Sequence, residues 1–257
     1  MPTGVSSFSR RQQHCAHRKV TIYTSAVTLL LPHKYLTHFA MSETAAWPPS
    51  NGVTSKIVPR DSAVFGISYS TVVRAPAPLV FDTILRAADY PAWNTWVPRA
   101  EILTQPSTTE DQNAHDHMSI GCTMRFTVVM NPDKPNDVTL TPLKVVDICT
   151  PSSPTSYLTP ELLEDPTFTA DLSKVYRVSW TGNGGMYALG MKLERFHEVV
   201  VTGENECEVR TWEIMSGMLS RVVKLMYEDT LKGKVGLWCE DLKKYCENRP
   251  ASYVPVV

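Results

Sequence analysis

The chain has 257 residues, 43% of them apolar and 20% charged, enough to bury a full core and unlike the composition of a disordered segment. The net charge of −1 hides an asymmetry: residues 1–65 hold seven Lys/Arg against Glu43 and Asp61, a net of +5, which leaves −6 for residues 66–257. An acidic main segment is a poor match for a phosphate backbone, so no nucleic-acid partner is expected.

From Met1 to Ser42 there is no acidic residue, while Arg10, Arg11, Arg18, Lys19 and Lys34 are basic and hydroxyl side chains are frequent. This is the composition of a mitochondrial transit peptide. A second reading stands beside it: Met41 precedes a small, polar, Pro-containing stretch suited to the flexible start of a cytoplasmic protein. Cytoplasmic localisation is the expectation, with mitochondrial import as the alternative, and in both readings residues 1–60 are expected to lie outside the fold. The longest nearly apolar run, 20–31, is well short of the roughly 20 residues that a membrane-spanning helix needs, so no transmembrane segment is expected.

Regular patterning begins near Phe65. Ile67, Tyr69, Thr71 and Val73 alternate with Ser68, Ser70, Val72 and Arg74, the period of two that marks a strand. Pro76 and Pro78 stop it and favour a helix start, and Leu79, Val80, Phe81, Ile84 and Leu85 then recur at helical spacing. A second short helical segment follows at 89–96. Beyond it the pattern predicts strands at about 97–104, 120–130, 138–148, 173–181, 192–202 and 207–215, joined by turn signals at 131–137, 181–185 and 202–206. Such connections suit antiparallel neighbours. Two long connections interrupt the series: 104–119, which is polar, and 150–173, where a helical turn is expected at Glu161–Leu163.

A helix is predicted over about 217–247. Val223, Tyr227, Leu231, Val235, Trp238, Leu242 and Tyr245 form one apolar stripe by steps of three and four. Gly233 and Gly236 inside it point to a kink or a close backbone approach. Six cysteines, Cys15, Cys122, Cys149, Cys207, Cys239 and Cys246, include no CxxC pair, and reduced thiols in packing roles are expected.

One strand, two short helices, six strands and a long C-terminal helix is the element order of the helix-grip fold, an α+β class. The sequence resembles the START-like (SRPBCC) superfamily of polyketide cyclases, Bet v 1-like proteins and coenzyme Q-binding START-like proteins, in the manner of a fungal member. VVRAPAPLVFDTIL (72–85) looks like that family's strand–Pro turn–helix opening, AADYPAWNTWVPRAEIL (87–103) like its Trp-x-Pro entry to the second strand, and RFHEVVVTGENECEVRTWEIMSG (195–217) like its paired sixth and seventh strands. The match covers roughly 65–249, with a short tail at 250–257. Its motifs specify fold, and no family active-site motif transfers.

A sheet curved around a helix encloses either a solid core or a hydrophobic cavity. The side chains expected between them are Met124, Phe126, Trp180, Phe196, Trp212 and Ile214 from the strands and Val223 and Tyr227 from the helix, with Trp93 and Trp96 closing one end. For any one of them an ordinary core role is the default. The polar groups to examine are Arg177, Arg195, His197, Arg210 and Glu213. Alternation places Arg195 and His197 on one strand face and Phe196 on the other, without saying which is concave. His197 is a candidate general base or a structural histidine.

There is no GxSxG elbow, phosphate loop or dinucleotide fingerprint. His115-Asp116-His117 sits in a polar loop without further metal ligands. No catalytic residue, metal or cofactor is therefore expected. The resemblance implies binding of a hydrophobic small molecule, such as a lipid, an isoprenoid quinone or a polyketide-like compound. The alternatives are a cyclase/aromatase-type enzyme and an interaction module on the same fold.

Overall fold

The structure, a computed structural model, describes residues 46–106 and 116–249. The leader-like segment, His115 and the tail at 250–257 lie outside the described residues. Seven strands follow in the chain: β1 (Phe65–Val73), β2 (Arg99–Thr104), β3 (Thr123–Val129), β4 (Val138–Cys149), β5 (Val175–Gly182), β6 (Lys192–Gly203) and β7 (Glu206–Ser216). They form one sheet in the order β1-β7-β6-β5-β4-β3-β2, and every neighbouring pair is antiparallel. Register shifts in the β2–β3, β4–β5 and β6–β7 pairs are the bulges that let a sheet bend.

Two short helices, α1 (Ala77–Leu85) and α2 (Tyr90–Trp93), come between β1 and β2. Pro76 caps α1 and Pro78 lies in its first turn, where the missing N–H costs nothing. A single turn, α3 (Pro160–Leu163), lies in the long connection after β4, and α4 (Met218–Glu247) ends the fold. Leu231, Val235, Trp238, Cys239, Leu242 and Cys246 are the buried face of α4.

Both helix glycines are accommodated in one continuous helix. Gly236 marks a close approach rather than a kink: a Cβ there would lie 3.3 Å from the Tyr69 ring on β1. At the β7–α4 corner Gly217 has φ +95°, and a Cβ would fall 2.0 Å from the Gly190 carbonyl oxygen, so only glycine makes this turn.

The convex face of the sheet is also covered, which corrects the expectation that the fold starts after residue 60. Val53 and Val58 are buried, and Val53 joins Leu158, Phe168, Phe196 and Trp212 in a second apolar cluster. Trp212 Nε1 donates to the Thr54 carbonyl at 3.0 Å. Glu194, fully buried, accepts from the Ile57 N–H at 2.7 Å, the Tyr157 hydroxyl at 2.7 Å and the Ser179 hydroxyl at 2.9 Å. Thus residues 47–60 and the 150–173 connection are clamped together over β5, β6 and β7. The two valines and the few polar anchors of residues 47–60 carry too little periodicity to announce this in the sequence.

Candidate functional site

Alternation along the strands fixes what faces α4. Cross-strand pairing sets Trp180 beside Arg195 and Arg195 beside Glu213, so one row of side chains crosses β5, β6 and β7 on the concave face. Above that row a cavity of about 560 Å³ lies between the sheet and the N-terminal half of α4. Its apolar walls include Phe126 and Val128 from β3, Leu143 from β4, Leu193 from β6, Met215 from β7, and Leu219, Val223 and Leu231 from α4. Met186, Val222 and Tyr227, each more than one-third exposed, edge its open side.

The inner end is aromatic. Phe126 meets Trp180 edge-on at 5.6 Å and Tyr90 at 5.5 Å, Tyr90 meets Trp93 at 4.9 Å, and Trp93 meets Trp238 of α4 at 5.3 Å. Offset and edge-to-face contacts of this kind hold rings in fixed orientations. The rigid base they form ties β3, α2 and α4 together.

Arg195 and Glu213 are the charged groups on the cavity wall that are nearly inaccessible, at 4% and 8% exposure. Arg195 Nη1 lies 3.7 Å from Glu213 Oε2, an ion pair without a hydrogen bond. The guanidinium carbon sits 4.9 Å from the Trp96 ring centroid and 5.8 Å from that of Trp238, contacts that favour the cation. Burial pushes the Glu213 carboxyl above the usual carboxylate range against the pull of Arg195. Burial also lowers the Arg195 pKa, with Glu213 opposing it, yet a guanidinium starts far enough above neutrality to stay charged.

Several buried polar atoms here have no hydrogen-bond partner. Arg195 Nε and Nη2, Trp96 Nε1, Trp93 Nε1 and both ring nitrogens of His197 make no hydrogen bond. Buried polar atoms are normally satisfied, and these lie together beside the cavity, while Asn94 Nδ2 and Asp147 Oδ2 are without a partner elsewhere in the core. His197 lies between the Trp180 ring at 4.6 Å and the Trp238 ring at 4.3 Å. Burial, then the Arg195 charge, holds its pKa well below the ordinary value, so it is a neutral ring behind the cavity wall.

The sequence candidates divide by sheet face. Trp96, Phe126, Trp180, Val223 and Tyr227 line the cavity together with Arg195 and Glu213. Trp93 and Met124 are core residues next to it. Phe196, Trp212 and Ile214 were expected inside, but they lie on the opposite face, because Arg195 and Glu213 take the inward positions of the same strands. Arg177 is also convex: its Nε is 2.7 Å from Glu198 Oε1 and its Nη2 donates to the Thr169 carbonyl at 3.0 Å. Arg210 pairs with Glu208 at 2.7 Å beneath Trp47.

Leu143, Leu193 and Met215 are lining residues that sequence reasoning left out, although alternation from Trp180, Arg195 and Glu213 would have placed the latter two. His117 Nε2 lies 3.2 Å from Asp82 Oδ1, tying the end of the 104–119 connection to α1 rather than leaving it in solvent. Among the described residues no group of three or more His, Cys, Asp or Glu is placed to hold a metal ion, and no helix is long and apolar enough to cross a membrane.

No family model matches the sequence. A protein of Penicillium oxalicum, oxopyrrolidines biosynthesis cluster protein O, is 25% identical over 203 residues, which covers 77% of this chain and 94% of that protein. Among solved structures, the Zhui aromatase/cyclase from Streptomyces sp. R1128 aligns at 10% identity over 74% of this chain and 99% of its own, with a TM-score of 0.49. A START superfamily protein from Mycobacterium smegmatis aligns at 13% identity, covering 71% and 97%, with a TM-score of 0.46. Norcoclaurine synthase from Thalictrum flavum, in complex with dopamine and hydroxybenzaldehyde, aligns at 16% identity, covering 74% and 91%, with a TM-score of 0.44. The strand order, the two short helices after β1 and the long helix seated across β1 and β7 make this a helix-grip fold of the α+β class.

Proposed function

We propose that this protein binds a small, mainly apolar molecule in the cavity between the sheet and α4. The observation that carries the reading is the cavity itself: about 560 Å³, within the roughly 300–1,000 Å³ usual for small-molecule sites, with apolar walls, an aromatic base and few polar groups. Burial against such walls stabilises an apolar ligand by about 25 cal/mol per Å² removed from water. A lipid, an isoprenoid quinone and a polyketide-like compound all have suitable surfaces. The name of the Penicillium oxalicum relative supports a biosynthetic small molecule among these.

A second reading is favoured by Arg195 and Glu213. A fixed cation beside a carboxyl of raised pKa is an arrangement able to stabilise a developing enolate and to move a proton, as a cyclase/aromatase-type enzyme requires. The test that serves both readings is native mass spectrometry of the purified protein with extraction of the bound compound, followed by titration with it while tryptophan emission is recorded. One equivalent of an apolar compound is expected to bind and quench. Val223→Trp, which narrows the cavity from α4, is expected to weaken binding at least tenfold, while Lys244→Glu on the exposed side of that helix leaves it unchanged. Equal affinity in both variants would place the ligand elsewhere. Conversion of the extracted compound on incubation would select the enzymatic reading.

A further inference from the structure

The two halves of α4 are covered unequally. From Leu231 onward the helix buries a continuous face, but within residues 218–230 only Ser220 is buried. Met218, Val222, Leu225 and Met226 are there 81%, 52%, 88% and 61% exposed. Met218, Val222, Leu225 and Asp229 follow steps of four, three and four, the spacing of the seam between two paired helices. Leu189, also exposed, extends the patch, because the Gly190 carbonyl lies against Gly217 at the start of α4. Beside the stripe an open groove of about 1090 Å³ runs between residues 61–64 and the helix, with Arg221, Leu225 and Asp229 on its wall. Monomeric proteins rarely leave a continuous apolar surface of this kind to water.

The charges on this face select what covers it. Arg221 and Asp229 stand four residues, about 6 Å along the axis, to either side of Leu225. Both are exposed. Among the described residues Arg221 forms no ion pair, and Asp229 Oδ1 lies 3.8 Å from a Lys232 Nζ that Glu228 holds more closely, at 2.9 Å. A two-fold axis through Leu225 sets two such helices antiparallel, with Leu225 against its own copy and Arg221 of each chain level with Asp229 of the other. The same operation sets Val222 level with Glu228 and Met218 level with Lys232, so that apolar side chains meet the aliphatic stems of charged ones. A two-fold interface needs this self-complementarity, in which each residue meets a partner whose copy meets it in return. A membrane surface fits less well, since the Asp229 carboxylate on the stripe would face anionic head groups.

We infer that residues 218–232 of α4 form a homodimer surface, on which two copies of this chain pair antiparallel about Leu225. The inference is independent of the cavity reading. About four turns of helix from each chain make an interface at the small end of specific ones, so the dimer forms in the micromolar range rather than below it.

The test is sedimentation velocity of the full chain over a concentration series through the micromolar range, with circular dichroism to show that each variant is folded. The unaltered chain is expected to pass from monomer to dimer, and Leu225→Glu to stay monomeric throughout. Arg221→Glu and Asp229→Arg each set like charges level at two places across the axis, and each is expected to dimerise at least tenfold more weakly. Mixed in equal amounts, those two variants meet with opposite charges at both places, and the mixture is expected to recover the dimer. The doubly substituted chain should recover it too. A monomeric unaltered chain overturns the inference; if that monomer floats with phosphatidylcholine vesicles and Leu225→Glu does not, the face belongs to lipid. A dimer that survives Leu225→Glu uses another surface and overturns it as well. Loss in both single variants without recovery on mixing overturns the antiparallel pairing. Should Leu225→Glu fail to fold, the single variants and their mixture decide. None of these outcomes bears on the cavity reading.

Discussion

Truncating Trp238 to Ala tests the contact on which the grip of α4 depends. Trp238 is 1% exposed, packs edge-on against Trp93 at 5.3 Å and covers His197 at 4.3 Å. Trp→Ala changes in cores cost about 3–5 kcal/mol in all, and the edge-to-face pair, worth about 0.5–1.5 kcal/mol of such a total, places this one in the upper half, at about 4–5 kcal/mol. For a domain of this size each kcal/mol moves the thermal midpoint by about 2–4 °C, which gives a fall of roughly 8–20 °C. Urea unfolding followed by far-ultraviolet circular dichroism measures it directly, with a lowered midpoint at constant slope. Trp238→Phe, which keeps an aromatic edge for Trp93, should lose about half as much. A loss below about 1 kcal/mol in the Ala variant would show that the aromatic base does not hold α4 to the sheet.

Two further outcomes follow from buried polar contacts. A chain starting at residue 61 is expected to be less stable than one starting at residue 46 by about 2 kcal/mol or more, because Trp212 Nε1 and the buried Glu194 each lose a partner; equal urea midpoints would mean that residues 46–60 add nothing. His197, neutral in the fold because burial lowers its pKa from 6.5, makes the unfolded chain the better proton binder below that value. Stability should therefore fall as pH drops below about 6.5, by up to about 1.4 kcal/mol per pH unit from this residue. His197→Phe should flatten that limb by as much as one proton. Glu213, whose carboxyl is pushed upward, contributes the opposite slope in both proteins, so their difference isolates His197, and identical slopes would show that the ring is charged or solvated.

Local patterning determined the elements and their order. Alternation from Phe65 to Val73, the prolines at 76 and 78, and the three-and-four spacing from Leu231 to Leu242 depend only on near neighbours in the chain, and β1, α1 and α4 appear where those signals lie. The same alternation separated Arg195 and His197 from Phe196 but left open which set faces α4. That choice belongs to tertiary structure, because both faces of β6 and β7 are buried. A strand covered on both sides carries apolar and ionisable residues in both registers, so its pattern no longer marks an inside.

The cover on the second face comes from residues 47–60 and 150–173, segments without period, held by single contacts such as Trp212 to Thr54 and Tyr157 to Glu194. The cavity and the unpaired edge of Arg195 are likewise set only once β6, β7, α2 and α4 converge. A buried polar atom becomes satisfied or orphaned through neighbours distant in sequence, and pairwise spacing along the chain contains no record of them.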